Sequence, residues 1–256
     1  MYRKGMRMGL LLTLGMVLGT GSVWAAREAR QAELSHATGK VEWLKSGEAT
    51  WQSASVGQKL AGGDKVRTGE DGEGTLTLDD GSKIQLFANS EFSVQTLTKD
   101  TANEEMDTIL ALMKGRLRAD VTPLKGNSKF EIETPSVVAA VRGTTLEITI
   151  NPDGSISVTS DSGKVELIHK GENKFDAMLE NGDKAEISYN PSSGVIKVTS
   201  RNGSFDVKGP DGISKTLNEG DTVIFGAGPA TFVPGAPVTT TDAPVTETQT
   251  EPASRS

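Results

Sequence analysis

Cysteine is absent from the 256 residues. That excludes disulfides, thiolate-ligated zinc or iron–sulfur centres, a thiol nucleophile and a lipid-modified N-terminal cysteine. Aromatic residues are scarce, at 5%, which leaves little from which to build the aromatic platforms of a sugar cleft. Histidine occurs only as His36 and His169. His36 lies in a polar stretch, and His169 ends a predicted strand beside Lys170. Neither falls in a recognisable Ser/His/Asp set, which needs a base oriented by an acid and aimed at a hydroxyl. There is no Walker-type loop and no Gly-x-Gly-x-x-Gly opening a helix. Beyond the N-terminal segment no apolar run approaches the roughly 18–20 residues that span a bilayer. The chain also lacks basic excess, with a net charge of −7. Such a surface disfavours nucleic acid, whose phosphates must be neutralised by Lys and Arg, and anionic lipid.

What is present begins with a secretory signal over residues 1–25. Arg3, Lys4 and Arg7 precede an apolar stretch, residues 8–20, and Val23-Trp24-Ala25 offers a cleavage site after Ala25, with Ala26 as the alternative. Cleavage takes the net charge from −7 to −10. The competing reading is an uncleaved anchor. Either way the remainder is expected in the periplasm or outside a Gram-negative type cell, where disulfides are allowed but not required. After cleavage no membrane span is expected. Residues 26–38 are polar and of mixed charge, and read as a short helix or a tether.

From Gly39 the pattern turns to short alternating runs separated by turns bearing Gly, Asn and Asp. Leu76 and Leu78 share one face of a strand, and Asp79-Asp80-Gly81-Ser82 is a turn. Residues 98–107 read as an exposed loop or distorted hairpin, and residues 108–121 as strand, turn, strand around Lys114-Gly115. The fold class is all-β. Short antiparallel strands form stacked, twisted sheets, solenoid-like or as a sandwich.

One stretch, residues 134–148, reads as a central strand pair. Pro135 belongs at a strand start or bend because it cannot donate to a ladder. Val137-Val138-Ala139-Ala140-Val141 is continuously apolar, as in a strand covered on both faces. Gly143 allows a turn or bulge before alternation resumes at Thr145. Arg142 interrupts this apolar run and has three open roles: a buried orienting charge, an exposed partner contact, or a ligand-binding guanidinium.

Leu-x-x-Gly-Asp occurs three times, at Leu60…Gly63-Asp64, Leu179…Gly182-Asp183 and Leu217…Gly220-Asp221. Gly-Lys-Val-Glu occurs at 39–42 and 163–166. These suggest a diverged repeat of one β-unit, with the three leucines in the core and the aspartates capping turns. The expected organisation is a signal (1–25), a lead-in (26–38), a β domain (39–170), further β repeats packed on it (171–228) and a disordered Pro/Thr-rich tail (229–256). The acidic turns at 70–73 and 79–81 carry oxygens of the kind calcium takes, although solvated hairpin turns explain them as well. Trp43 and Trp51 read as core or edge-cluster residues.

The ordered run Gly39-Lys40-Val41, Trp51, Leu60-Ala61-Gly62-Gly63-Asp64-Lys65-Val66-Arg67-Thr68-Gly69, Gly74-Thr75-Leu76-Thr77-Leu78-Asp79-Asp80-Gly81-Ser82, Gly115-Arg116-Leu117, Phe130-Glu131-Ile132-Glu133-Thr134-Pro135 and Val138-Ala139-Ala140-Val141-Arg142-Gly143-Thr144-Thr145-Leu146 resembles the FecR domain over residues 39–170. The resemblance implies a periplasmic all-β domain without catalytic residues. In sensor members it relays a signal from an outer-membrane receptor to a cytoplasmic sigma factor. Such regulators need a sigma-binding segment ahead of their membrane span, whereas only residues 1–7 precede the apolar run here. The domain and compartment therefore carry over as expectations, and anti-sigma activity does not. The expected function is a non-enzymatic binding module of the cell envelope, without cofactor or metal. Its partner is an envelope protein or glycan, and Arg142, Asp64 and Arg67 are its candidate contacts. The alternatives are a membrane-anchored regulator of the sigma-factor type and an envelope hydrolase.

Overall fold

The computed structural model describes residues 27–171, 174–226 and 228–235. These hold twenty-two strands and no helix. Sheet A runs β4 (Gln52–Ser53), β3 (Val41–Leu44), β6 (Lys65–Thr68), β9 (Glu91–Asp100), β10 (Met106–Asp120), β11 (Lys129–Glu133), β12 (Val137–Val141), β15 (Lys164–His169), β16 (Asp176–Glu180), β19 (Phe205–Lys208) and β20 (Ser214–Leu217). β1 (Arg27–Ala29) lies against the far end of β9. Sheet B runs β5 (Lys59–Leu60), β2 (Ala32–Thr38), β7 (Glu73–Leu78), β8 (Lys83–Leu86), β10 again, β13 (Thr145–Ile150), β14 (Ile156–Ser162), β17 (Lys184–Asn190), β18 (Val195–Asn202), β21 (Thr222–Phe225) and β22 (Thr231–Val233). All pairings are antiparallel except β10–β11.

Period-two alternation produces this arrangement. In β7 Leu76 and Leu78 are buried while Thr75 and Thr77 are partly exposed, and the same pattern recurs through both sheets. The inward side chains form one aliphatic core, filled out by Phe92, Phe130 and Phe175. β10 joins the sheets. Its first part pairs with β9 and β11, and from Gly115 onward it pairs with β8 and β13. The expected strand, turn, strand is thus one bent strand. Gly115 has φ +84°, and a Cβ there would lie 2.6 Å from Ser90 Cα, so only glycine fits the bend.

Beyond β12 the chain alternates between sheets, one hairpin at a time: β13–β14 in B, β15–β16 in A, β17–β18 in B, β19–β20 in A and β21–β22 in B. Each hairpin pairs with an earlier strand of its own sheet. The architecture is therefore both of the forms expected from sequence, a sandwich in section and a hairpin stack along its length. Residues 134–148 are not a strand pair. β12 and β13 lie in opposite sheets because residues 142–144 turn the corner between them. Gly143 has φ +85°, and a Cβ would approach Pro123 Cα to 2.8 Å. Nor is β12 covered on both faces: Val137, Ala139 and Val141 are buried, while Val138 and Ala140 are partly exposed on the outer face.

The three Leu-x-x-Gly-Asp segments are three copies of one sheet-switching corner, from β5 to β6, β16 to β17 and β20 to β21. Each aspartate accepts the N–H of the residue three before it, at 2.9 Å from Ala61, 2.8 Å from Glu180 and 2.9 Å from Asn218. Its other oxygen accepts an N–H from a separate segment: Ser46 at 2.8 Å, Ser204 at 3.2 Å and Gly235 at 2.8 Å. In each copy the glycine N–H donates to the carbonyl of Val94, Ser160 or Ser200, and that residue's N–H donates back to the aspartate carbonyl. Leu60, Leu179 and Leu217 are buried. The repetition is architectural. Two backbone hydrogen bonds, from Gly235 and then Asn218, hold the Asp221 carboxyl below its usual range against the opposing effect of burial.

Two boundaries differ from expectation. Residues 27–38 are neither helix nor tether but β1 and β2, and between these strands Arg30 is buried. Its Nε donates to Asp79 Oδ1 at 2.8 Å and its Nη1 to Thr108 Oγ1 at 3.0 Å, fastening the segment to the β7–β8 turn and to β10. At the other end the Pro/Thr-rich segment contributes β22, paired with β21. The expected signal, residues 1–25, and the rest of the expected disordered tail, residues 236–256, lie outside the described residues.

Asp183→Ala leaves the N–H groups of Glu180 and Ser204 without their acceptor. It is expected to lower unfolding stability by about 1–3 kcal/mol, read as a lower urea midpoint. An unchanged midpoint contradicts the corner's role.

Candidate interaction surface

The two sheets present different outer faces. On sheet B the outward positions are mostly hydroxyl, amide and charged side chains. Arg116 meets Glu147 at 2.6 Å, Arg201 meets Glu186 at 2.8 Å, and Arg118 pairs with Asp161. This is a solvated polar face with cross-strand ion pairs, on which Lys83, Lys184 and Lys197 have no side-chain partner among the described residues.

Sheet A carries an apolar band across its strands. One row in register is Ala111, Glu133, Val138, Ile168 and Asp176, and the next is Ile109, Glu131, Ala140, Glu166 and Met178. The face is concave over β11, β12, β15 and β16. A groove of about 560 Å³ is lined there by Glu131, Ala140, Arg142, Glu166, Ile168 and Met178, among others. Met178 is 39% exposed. Lys164 pairs with Glu180 and Lys170 with Glu133. Lys129, Glu131, Arg142 and Glu166 have no side-chain partner among the described residues. A floor of apolar side chains interspersed with and bordered by charges of both signs suits a protein surface, where apolar contact supplies affinity and charges fix register.

Of the contacts expected from sequence, only Arg142 borders this groove. It is exposed, at the corner after β12, which leaves no place for the buried orienting role. Asp64 is buried, and both carboxylate oxygens accept backbone N–H groups of its corner. Arg67 lies on β6, four strands from β12. Its Nε donates to Glu42 at 2.8 Å, and its guanidinium sits 4.3 Å from the centroid of the Trp51 ring. That hydrogen bond holds the Glu42 carboxyl below its usual range. The acidic turns are also engaged: Asp79 and Asp80 face Arg30, and Asp71 accepts the Lys40 N–H at 3.3 Å. No group of three or more Asp, Glu or His among the described residues is arranged to hold a metal ion. Sequence reasoning missed Glu131, Glu166, Ile168 and Met178. The signal was the unbroken apolar run in β12, whose outward half needed a cover that the fold does not provide.

The model of the FecR protein family matches residues 64–166. Residues 64–166 are a FecR domain. The match lies within the span expected from the motifs. It starts at the first Gly-Asp corner and ends in β15, so the FecR domain supplies most of the groove, and Ile168 and Met178 complete it from just beyond. No curated protein matches the chain in sequence. Among solved structures, two crystal structures of a candidate anti-sigma factor from Parabacteroides distasonis align at TM-scores of 0.40 and 0.39, with 16% and 15% identity. Each alignment covers 60% of this chain and 59% of that one.

Just past the FecR domain, His169 faces inward and is 2% exposed. Its Nδ1 accepts the Gly171 N–H at 3.0 Å, so Nε2 carries the proton. Its ring stacks on Phe175 at 5.9 Å and tilts against Tyr189 at 5.1 Å. Burial holds its pKa below the ordinary histidine value. The ring is a neutral packing element, with no acid oriented on it among the described residues. Above about pH 6.5 it is neutral in both folded and unfolded chains. As pH falls below that value the unfolded chain takes up the proton first, so stability declines until the folded ring itself protonates. Urea midpoints are expected to fall as pH drops below about 6.5, and His169→Phe is expected to flatten that slope. A slope that survives the substitution contradicts the assignment.

Proposed function

We propose that this chain is a non-enzymatic FecR-domain protein, exported to the cell envelope, that binds a protein partner through the outer face of sheet A. The observation that carries the reading is the contrast between the two faces. Sheet B is polar across its outer face, whereas sheet A leaves an apolar band at a groove that also holds four charges without a side-chain partner among the described residues. A burial-ready patch rimmed by polar groups is the mark of an interaction site. The floor favours protein over glycan. It is aliphatic and sulfur-bearing, Trp43 packs against the core, and Trp51 lies under Arg67.

The FecR domain also favours a second reading, an envelope regulator held by an uncleaved anchor. Sequencing the N-terminus of the chain recovered from cells separates the two. Ala26 or Arg27 at the first position removes the anchored regulator.

Capture from an envelope extract with the wild-type chain is expected to retain a specific protein, and Ile168→Asp and Arg142→Glu to reduce its recovery at least about tenfold, equivalent to about 1.4 kcal/mol. Both positions point outward, so circular dichroism should confirm an intact fold. Equal recovery on wild type and both variants contradicts the proposed face.

A further inference from the structure

The backbone beneath the groove says what kind of segment fits it. β11, β12, β15 and β16 are interior strands, each hydrogen-bonded on both sides. Their amide groups are consumed by the ladder. A strand laid on this face finds no edge to extend, and its own N–H and C=O groups would be taken from water without partners, which is costly. An α-helix satisfies its backbone internally and offers only side chains, as the groove does.

The dimensions and charges agree. The band from Ile109 on β10 to Met178 on β16 crosses four strand spacings, about 19 Å at about 4.8 Å each. A helix of about thirteen residues covers that length at about 1.5 Å per residue. The carboxylates of Glu131 and Glu166 lie within the band and Lys129 and Arg142 at its corner-side rim, all four without a side-chain partner among the described residues.

We infer that the groove on sheet A receives an amphipathic helix of a partner protein, lying across the strands. Its apolar stripe rests on Ala140, Ile168 and Met178, its basic residues face Glu131 and Glu166, and its acidic residues face Lys129 and Arg142. The inference rests on the proposed reading of this face as a docking surface and adds the chemistry of the occupant.

The test uses two displayed peptide libraries selected in parallel on the whole chain. One holds fourteen-residue peptides locked as helices by a side-chain staple, with apolar residues at positions 3, 6, 7 and 10 and the rest randomised, about the length argued above. The other holds linear peptides of alternating apolar and random residues. The expected result is that clones sensitive to Ile168→Asp and Ala140→Glu, at tenfold or greater loss, come from the helical library. Those clones should enrich Lys or Arg on one flank and should bind Thr159→Glu, on sheet B, as well as wild type. Groove-sensitive clones from the linear library alone overturn the helix and leave the docking face standing. Clones from both libraries that ignore the groove substitutions overturn the docking face itself, as does failure of both libraries to yield a binder.

Discussion

Every passage between the two sheets turns the backbone at the rim of the core, where an unpaired amide is costly. The Gly-Asp corner meets that demand the same way three times. The glycine and aspartate exchange a pair of backbone hydrogen bonds with a strand of the facing hairpin, and the aspartate carboxylate takes two further N–H groups. A buried carboxylate so bonded is satisfied without a counter-ion. The corners let a chain with few aromatics and no cysteine close an aliphatic core by laying hairpins alternately in one sheet and the other.

The same stacking fixes what each outer face can do. Hairpins in both sheets bury their inward residues in one core, so outward residues are free to differ, and they do. Sheet B carries cross-strand ion pairs. Sheet A carries Ile109, Val138, Ala140, Ile168 and Met178 beside Lys129, Glu131, Arg142 and Glu166, which have no side-chain partner among the described residues. The FecR domain contributes both the first corner and most of the groove floor, which joins the architectural and interaction roles in one segment.

Much of the fold was legible because period-two alternation and Gly-bearing turns are local. Leu60, Leu179 and Leu217 were recognisable as core, and their aspartates as turn caps, because the motif repeats. What was not legible depended on the sheet a strand joins. Nothing in residues 134–148 alone distinguishes a hairpin from a corner, and the difference lies in Pro123, against which Gly143 packs. Residues 27–38 read as polar because β2 lies near one end of sheet B, where only alternate residues are buried, and because the charge of Arg30 is matched by aspartates distant in sequence. The candidate site was half visible. Arg142 was singled out for interrupting an apolar run, whereas Glu131, Glu166 and Met178 join it only through the register of four strands. Asp64 and Arg67 attracted attention as charges, and the structure spends both on local bonds.

The central claim is that sheet A's outer face is covered in the cell envelope and sheet B's is not. Hydroxyl-radical footprinting of the chain in envelope extract and in buffer tests it directly, because Met178 is 39% exposed in the groove while Ile224, on β21, is half-buried on the outer side of sheet B. The account predicts that Met178 is protected in the extract and Ile224 is not. Equal oxidation of Met178 in extract and in buffer would contradict it.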